Sequence, residues 1–198
     1  MPLPLTNPTR QAVDEAQLVL EQQPIYLDTE TTGLDQTSEI VEIALVDWDG
    51  RLVFHSLVKP TQSIPLDAVH IHGITNEMVR TAPPWLTVWH SLRSLVIERR
   101  VAAYNAEFDL RLMRQSHSRY RLPWHEHLSS FCIMRLYAQY RGDWDPIRRA
   151  YRFLSLDTAA KQLGITLPNT HRAADDALLA RSVLHAIAAS DTVQFQPL

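Results

Sequence analysis

The chain has 198 residues but only one cysteine, Cys132, so it cannot form an internal disulfide bond. A lone thiol is typical of reducing compartments and favours a cytoplasmic location. The first residues, 1–5, lack the basic segment and apolar run of a secretory signal, which supports the same expectation. No stretch approaches the roughly 18 consecutive apolar residues that cross a bilayer, so we expect no membrane association.

Glycine is scarce as well, with 5 residues against 12 prolines, while hydrophobic residues make up 45% of the chain. This composition excludes collagen-like, low-complexity and intrinsically disordered proteins. No internal repeat and no linker rich in Gly, Ser or Pro divides the sequence. We expect one domain over residues 24–190, with a helical extension over residues 1–23 and a short tail over residues 191–198.

The chain also has no overall excess of basic residues, since its formal net charge is −3. This charge disfavours a protein that coats nucleic acid non-specifically. The charge is unevenly distributed, however. Residues 99–152 hold 11 basic residues, all of them arginine, against 5 acidic ones. Arginine binds phosphate in bidentate fashion and stacks on bases. These arginines either contact nucleic acid or simply lie on solvated helix faces.

Hydrophobic periodicity predicts a mixed α/β fold. Three strands come first: one begins with Ile25-Tyr26-Leu27, and two follow at residues 39–48 and 51–58, with Asp49-Gly50 as a turn signal between these two. Two shorter strands follow at 101–103 and 129–132. Helices are predicted at residues 8–21, 83–99, 106–118, 133–140, 155–163 and 173–188. Residues 141–153 break the periodicity and are predicted to be a loop.

The first candidate site is Asp28-Thr29-Glu30-Thr31-Thr32-Gly33, at the carboxyl end of the first strand. Strand side chains alternate, so Asp28 and Glu30 project to the same side, about 7 Å apart. Their charges repel each other, and a hard divalent cation such as Mg²⁺ removes that cost by accepting oxygen ligands. Alternatively, the segment is only a polar strand exit before a turn.

The second candidate is Asn105-Ala106-Glu107-Phe108-Asp109, directly after the strand at Val101. Asp109 falls in the first turns of a helix, where the helix dipole favours a carboxylate. An ordinary N-terminal acid would fit this position equally well.

The third candidate, His171-Arg172-Ala173-Ala174-Asp175-Asp176, opens the last helix, with Asn169 and Thr170 as predicted caps. His171 precedes the helix and can therefore reach a cleft. The alternative is that the two acids only complement the helix dipole and that the histidine is structural.

Together and in this order, the three segments resemble the DEDDh family of 3′→5′ exonucleases. These ribonuclease-H-like enzymes include the proofreading epsilon subunit of bacterial DNA polymerase III. The resemblance covers about residues 24–188 and extends to His72-Gly73-Ile74-Thr75 and to the segment from Ser155 to Ile165. It implies a mixed sheet, with an antiparallel three-strand meander plus parallel strands, flanked by helices.

Carried over by position, the resemblance makes Asp28, Glu30, Asp109 and Asp176 the ligands of two Mg²⁺ ions, for which Mn²⁺ can substitute. It makes His171 the general base and leaves Asp175 dispensable. The expected walls of the pocket for the 3′-terminal nucleotide are Thr29, Thr31, Gly33, Leu34, His72, Ile74, Asn105 and Phe108. Leu34 is a candidate wedge between the last bases.

The implied reaction is stepwise hydrolysis from the 3′ end of single-stranded or frayed DNA, with release of nucleoside 5′-monophosphates. RNA trimming, in the manner of ribonuclease T or oligoribonuclease, is the alternative, because the metal ligands do not read the sugar. A third hypothesis is a non-catalytic proofreading or scaffold subunit that binds a DNA polymerase catalytic subunit. Within residues 141–153, arginines and aromatic residues could hold a single strand, or Trp144 could be buried in a structured loop.

Overall fold

A computed structural model describes residues 7–167 and 170–190 of the chain. Within these ranges the elements follow one another as α1 (Pro8–Glu21), β1 (Ile25–Thr31), β2 (Ile40–Val46), β3 (Leu52–Leu57), α2 (Leu66–His72), α3 (Asn76–Val79), α4 (Trp85–Ile97), β4 (Val101–Ala103), α5 (Ala106–Ser118), β5 (Ser130–Cys132), α6 (Ile133–Arg141), β6 (Trp144–Asp145), β7 (Ala150–Tyr151), α7 (Leu156–Gln162) and α8 (Ala173–Ala188). None of these helices combines the length and the apolar character that a bilayer crossing requires.

The main sheet has five strands in the order β3-β2-β1-β4-β5. The pairs β1–β2 and β2–β3 are antiparallel, whereas β1–β4 and β4–β5 are parallel. The predicted mixed sheet, with an antiparallel meander followed by parallel strands, is therefore confirmed. Strand β1 lies at the centre and carries the first candidate motif.

Helices cover both faces of this sheet, which explains why every residue of β2 is buried. Helices α1, α6, α7 and α8 pack on one face, and Tyr26 and Val46 belong to the core on that side. Helices α4 and α5 pack on the other face, together with Leu27 and Leu45. Because neighbouring residues of β1 belong to opposite cores, the side chains that follow Leu27 also alternate between the two helical layers.

Helix α1 begins where the sequence predicted, since the Asn7 side chain accepts hydrogen bonds from the backbone N–H groups of Thr9 and Arg10. Its buried residues, Ala12, Val13, Ala16 and Val19, belong to the same core as α6 and α8.

The predicted caps of the last helix need correction. Asn169 lies outside the described residues, and the Thr170 hydroxyl donates to Asp175 Oδ2 at 2.5 Å. Helix α8 begins at Ala173, after Arg172. The side chain of Glu42, on strand β2, accepts a hydrogen bond from the Ala173 N–H at 3.0 Å, so a residue of the sheet caps this helix.

The prediction of a loop over residues 141–153 was wrong. The two short strands β6 and β7 pair as an antiparallel hairpin, with Trp144 opposite Tyr151. The rings of these two residues meet edge to face, with centroids 5.1 Å apart. Strands of two residues show no periodicity that a sequence could reveal, which is why this hairpin was missed.

Candidate active site

Asp28 and Glu30 lie at the carboxyl end of β1. Their side chains point toward the helical layer that contains α8, because they lie on the same face of the strand as Tyr26. Helix α8 packs on β1 and β2 and supplies Asp176 from its first turn. Carboxylate oxygens of these three residues all lie within 4.8 Å of one another. The structure thus brings together two of the sequence-predicted motifs, 146 positions apart in the chain.

Asp176 is buried, and its Oδ1 atom has no hydrogen-bond partner among the residues that the structure describes. A buried oxygen that receives no hydrogen bond costs roughly 1–3 kcal/mol, and more when it is charged. The atom therefore lacks a compensating group, and a cation held by the three carboxylates would provide one.

Asp109 reaches the site from the opposite helical layer. It lies in the first turn of α5, and its Oδ1 accepts a hydrogen bond from the Thr29 hydroxyl at 2.8 Å. Thr29 points toward α5 because it alternates with Asp28 along β1. Asp109 is buried and lines the same cleft as the other acids, but it is not part of the group whose oxygens all lie within 4.8 Å.

His171 lies at the edge of this cleft, just before α8. Its side chain is 54% exposed, and its Nδ1 atom lies 4.0 Å from Asp176 Oδ2. The backbone has φ +51°, which is uncommon for a residue with a side chain and is held in place by the surrounding structure. The cleft has a volume of about 250 Å³ and is lined by Asp28, Thr29, Glu30, Tyr104, Asn105, Phe108, Asp109, Ser155, Leu156, His171 and Asp176.

The four acids share an environment that opposes negative charge. Burial, followed by the charges of Asp109 and Glu30, raises the pKa of Asp28 well above its usual range. Burial and then Asp176 raise the pKa of Glu30 to about 8. Burial raises the pKa of Asp109 to about 7 and that of Asp176 to about 6. Protons or cations must therefore compensate the cluster near neutral pH.

Sequence reasoning missed Glu42, a fully buried acid on β2 that lies opposite Glu30. Its carboxylate accepts hydrogen bonds from His55 Nε2 at 2.8 Å, from Arg172 Nε at 3.0 Å and from Arg172 Nη2. These bonds, with that from the Ala173 N–H, outweigh burial and lower the pKa of Glu42. A charged residue inside the apolar strand Ile-Val-Glu-Ile-Ala-Leu-Val was the available signal, since such a group needs a buried partner.

A second cavity, of about 420 Å³, adjoins the carboxylates on the side of α2. Six of the eight residues predicted to hold the terminal nucleotide line it, namely Thr29, Thr31, Gly33, Leu34, His72 and Phe108. Asn105 lines the cleft described above instead. Leu34 is 79% exposed at the cavity rim.

Ile74 corrects one expectation, because its side chain is fully buried among Val41, Ile64 and Val79 and cannot form a wall of this cavity. Its backbone N–H instead donates to His72 Nδ1 at 3.0 Å. The other ring nitrogen, Nε2, lies 3.2 Å from the Thr31 carbonyl oxygen. His72 is thereby fixed as the tautomer that carries its proton on Nε2, and burial lowers its pKa.

Comparison with known protein families identifies the family to which the chain belongs. Residues 25–184 match the exonuclease family that is designated RNase_T. The chain belongs to this family of exonucleases. The exonuclease is 40% identical over 176 residues to the uncharacterized exonuclease CP81 of Escherichia phage 186, a match that covers 85% of this chain and 90% of the phage protein.

Further relatives of the exonuclease include DNA polymerase III subunit epsilon of Rickettsia felis, which is 34% identical over 95 residues. That match covers 45% of this chain and 42% of the subunit. Among solved structures, exonuclease X in complex with 5′-overhanging duplex DNA is 29% identical, with a TM-score of 0.62 and coverage of 82% of this chain and 89% of that one. The predicted resemblance to the DEDDh exonucleases is confirmed.

Exonucleases of this fold depend on divalent metal ions, and the site fits such ions. Asp28, Glu30 and Asp176 supply the oxygen donors that hard cations prefer. Two further features favour a divalent cation at this site. Such an ion would satisfy Asp176 Oδ1, which lacks a hydrogen-bond partner among the described residues, and it would stabilise the ionised form of carboxylates whose pKa values are raised.

Proposed function

We propose that this exonuclease hydrolyses phosphodiester bonds stepwise from the 3′ end of single-stranded or frayed DNA and releases nucleoside 5′-monophosphates. One observation carries the proposal: oxygens of Asp28, Glu30 and Asp176 lie within 4.8 Å of one another, in a cleft that His171 also lines. The catalytic unit in this proposal is the domain over residues 24–190.

Asp28, Glu30, Asp109 and Asp176 would hold two Mg²⁺ ions, and Mn²⁺ would substitute because it accepts the same oxygen donors. When bound, such ions stabilise the charge on the attacking and leaving oxygens and lower the pKa of an attacking water. Asp109 extends the donor set toward α5, and the Thr29 hydroxyl orients it with a hydrogen bond of 2.8 Å.

His171 takes the proton of the attacking water in this mechanism. A general base must reach the water, and the half-exposed ring at the cleft edge meets that requirement. Imidazole is the usual general base near neutral pH, whereas the carboxylates of the cleft serve as ligands of the ions in this proposal. Asp176 Oδ2, 4.0 Å from Nδ1, stabilises the charged ring that results.

The cavity beside α2 would hold the 3′-terminal nucleotide and thereby set the direction of digestion. Phe108 and the neutral His72 ring form walls that suit a sugar and a base. Leu34 would insert between the last two bases, since its side chain is 79% exposed at the rim. A strand that ends in this cavity presents its last phosphodiester bond to the carboxylates.

DNA is the proposed polymer because exonuclease X, at 29% identity, is solved with duplex DNA that carries 5′ overhangs. The match to epsilon subunits also makes a DNA polymerase catalytic subunit a proposed partner. The single cysteine is consistent with action in the cytoplasm.

A gel time course tests the proposal with 5′-labelled DNA and RNA oligonucleotides of one sequence, in Mg²⁺, in Mn²⁺ and in EDTA, beside the Asp28→Ala variant. We expect a metal-dependent ladder that shortens from the 3′ end, faster on DNA, and no ladder with the variant. Equal activity of the variant would contradict the metal assignment. Faster digestion of RNA would overturn the choice of polymer.

A further inference from the structure

The β6–β7 hairpin and its flanking residues, 141–153, carry a net positive charge. The segment holds four arginines against two aspartates. Arg152 lies 3.8 Å from both Asp143 and Asp145. Neither Arg148 nor Arg149 forms an ion pair within 4.0 Å among the residues that the structure describes.

The same hairpin exposes apolar surface. Trp144 is 51% exposed, Phe153 53% and Ile147, at the tip, 92%. The alternative of a buried Trp144 is therefore wrong, because its ring contacts that of Tyr151 and about half of its surface remains exposed. Large apolar side chains exposed on one short segment are consistent with a surface that binds a partner.

The hairpin is held firmly despite its short strands, which alone would be only marginally stable. At the tip, Asp145 Oδ1 accepts hydrogen bonds from the backbone N–H groups of Ile147 and Arg148, at 2.9 and 3.1 Å. At the returning end, the Tyr104 hydroxyl donates to the Leu154 carbonyl oxygen at 2.8 Å. Tyr104 itself lines the catalytic cleft, so this bond ties the hairpin to the site.

The returning end of the hairpin lies close to the catalytic cleft along the chain. Ser155 lines the cleft, and an extended chain covers at most about 3.5 Å per residue, so the Cα atoms of Phe153 and Arg152 lie within about 7 and 11 Å of that of Ser155. A strand that leaves the cleft on the side of Ser155 would therefore meet the returning end of the hairpin within a few nucleotides.

We infer that the hairpin is a binding surface for the single strand that leads into the cleft, with Arg148 and Arg149 on its phosphates and with Trp144 and Phe153 stacked on its bases. The inference rests on the proposed function, since it assigns the same substrate to a second surface. Arginine and exposed aromatic rings are the two chemical groups that together hold single strands without reading sequence.

The test compares hairpin variants with matched controls at the opposite end of the sheet. The hairpin variants are Arg148→Gln with Arg149→Gln, and separately Trp144→Ala. The controls are Arg51→Gln and Trp48→Ala, whose exposed side chains lie near the β2–β3 turn, at the end of the sheet away from the carboxylates; Arg51 pairs there with Asp47. Circular dichroism and thermal unfolding establish that each variant folds.

Binding of a labelled DNA strand of about 12 nucleotides is measured by fluorescence anisotropy in EDTA over a range of salt concentrations. The arginine variant should bind the DNA at least about tenfold more weakly. The magnitude of its slope of log K against log salt concentration should be smaller by about 1.4, because two phosphate contacts are lost. Trp144→Ala should weaken binding about tenfold and leave the slope unchanged, because stacking involves no counterions. Both controls should match the wild type.

Measurements of hydrolysis distinguish a failure of this inference from a failure of the proposed function. The ratio of kcat/KM for the long strand to that for a dinucleotide, whose single phosphate lies in the cleft, should fall about tenfold in the hairpin variants. If the wild type digests both substrates and the hairpin variants match the controls, the hairpin assignment is overturned while the exonuclease proposal stands. If the wild type digests neither, the proposed function fails and the inference fails with it. A changed oligomeric state with unchanged DNA binding would identify the hairpin as a protein interface and would also overturn the inference.

Discussion

Glu42 accepts hydrogen bonds from both the Nε and the Nη2 atoms of Arg172, across the 130 positions that separate strand β2 from the start of α8. The same carboxylate caps the first N–H of α8, that of Ala173, at 3.0 Å. Arg172 follows His171 directly, so these bonds hold the backbone where His171 adopts φ +51°. Glu42 is thus the group through which the sheet positions both His171 and the first turn that carries Asp176.

Replacement of Glu42 by Gln should lower kcat by about tenfold or more and leave KM nearly unchanged, because the ring of His171 and the carboxylate of Asp176 would lose their fixed placement. It should also lower stability by about 1–3 kcal/mol, since buried donors lose their charged acceptor. Steady-state kinetics and thermal unfolding measure both effects.

Glu39→Gln is the matched control for Glu42→Gln. Glu39 is also a buried acid, but it accepts hydrogen bonds from the N–H and hydroxyl groups of Thr61, away from α8. Its variant should lose stability and keep kcat. Equal kcat values for the two variants would show that Glu42 only stabilises the fold.

The hydrogen bond from Thr29 to Asp109 predicts a second result. Thr29→Val keeps the shape of the side chain but removes the donor, so the pKa of Asp109 should rise further and its ionised form should become rarer. We expect a higher Mg²⁺ concentration at half-maximal activity, measured by titration at constant pH. Thr31→Val is the control, because the Thr31 hydroxyl donates to the Gly33 carbonyl oxygen and not to a carboxylate. An equal Mg²⁺ requirement in both variants would argue against this role of Thr29.

His171→Ala should slow hydrolysis by roughly 10²–10⁴-fold, the usual contribution of a general base. Asp175→Asn, in the first turn of α8, should change the rate of hydrolysis only slightly, because Asp175 accepts a hydrogen bond from Thr170 and does not line the cleft. Single-turnover rates on a 5′-labelled DNA strand provide the comparison. An unchanged rate in His171→Ala would show that another group accepts the proton.

The stability of the metal-free protein should depend on pH because of the buried acids. In the folded protein the pKa values of Glu30, Asp109 and Asp176 rise to about 8, 7 and 6. The folded state therefore binds more protons than the unfolded state between the ordinary carboxyl range near pH 4 and about pH 8. The contribution of these groups to stability is complete below that range and is lost as the pH rises through it.

Thermal unfolding in EDTA should accordingly show a Tm that falls between about pH 5 and pH 8, and Mg²⁺ should raise Tm more at the upper value. The double variant Asp28→Asn with Glu30→Gln should flatten the pH dependence and abolish the effect of Mg²⁺. Burial lowers the pKa of His72, His117 and His185, which contribute in the opposite sense in both proteins, so an equal pH dependence of Tm in the wild type and the double variant would contradict the described burial of the acids.

Local signals in the sequence were sufficient for the long elements and for the order of the candidate motifs. Helix α1 begins and ends as predicted, because Asn7 caps it and its apolar residues repeat with the helical period. The order of Asp28, Glu30, Asp109, His171 and Asp176 was sufficient to indicate the family that the comparisons show.

Features that depend on contacts between distant residues could not be predicted in the same way. The register that sets Glu42 opposite Glu30, and the approach of Arg172 to it, arise only when β2 and α8 pack together. The burial of Ile74 likewise depends on β2, since Val41 covers it. The separation of Asp109 from the other acids follows from α5 packing on the opposite face of the sheet.

The central claim is that the carboxylate cluster binds the ions on which hydrolysis depends. A titration with Mn²⁺ in the presence of a deoxynucleoside 5′-monophosphate tests this claim most directly, with the free ion measured by electron paramagnetic resonance. The account predicts two bound ions for the wild type, and fewer and weaker ones for Asp28→Asn, with circular dichroism as a check of the fold. Identical binding curves for the two proteins, or no bound ion in the wild type, would contradict it.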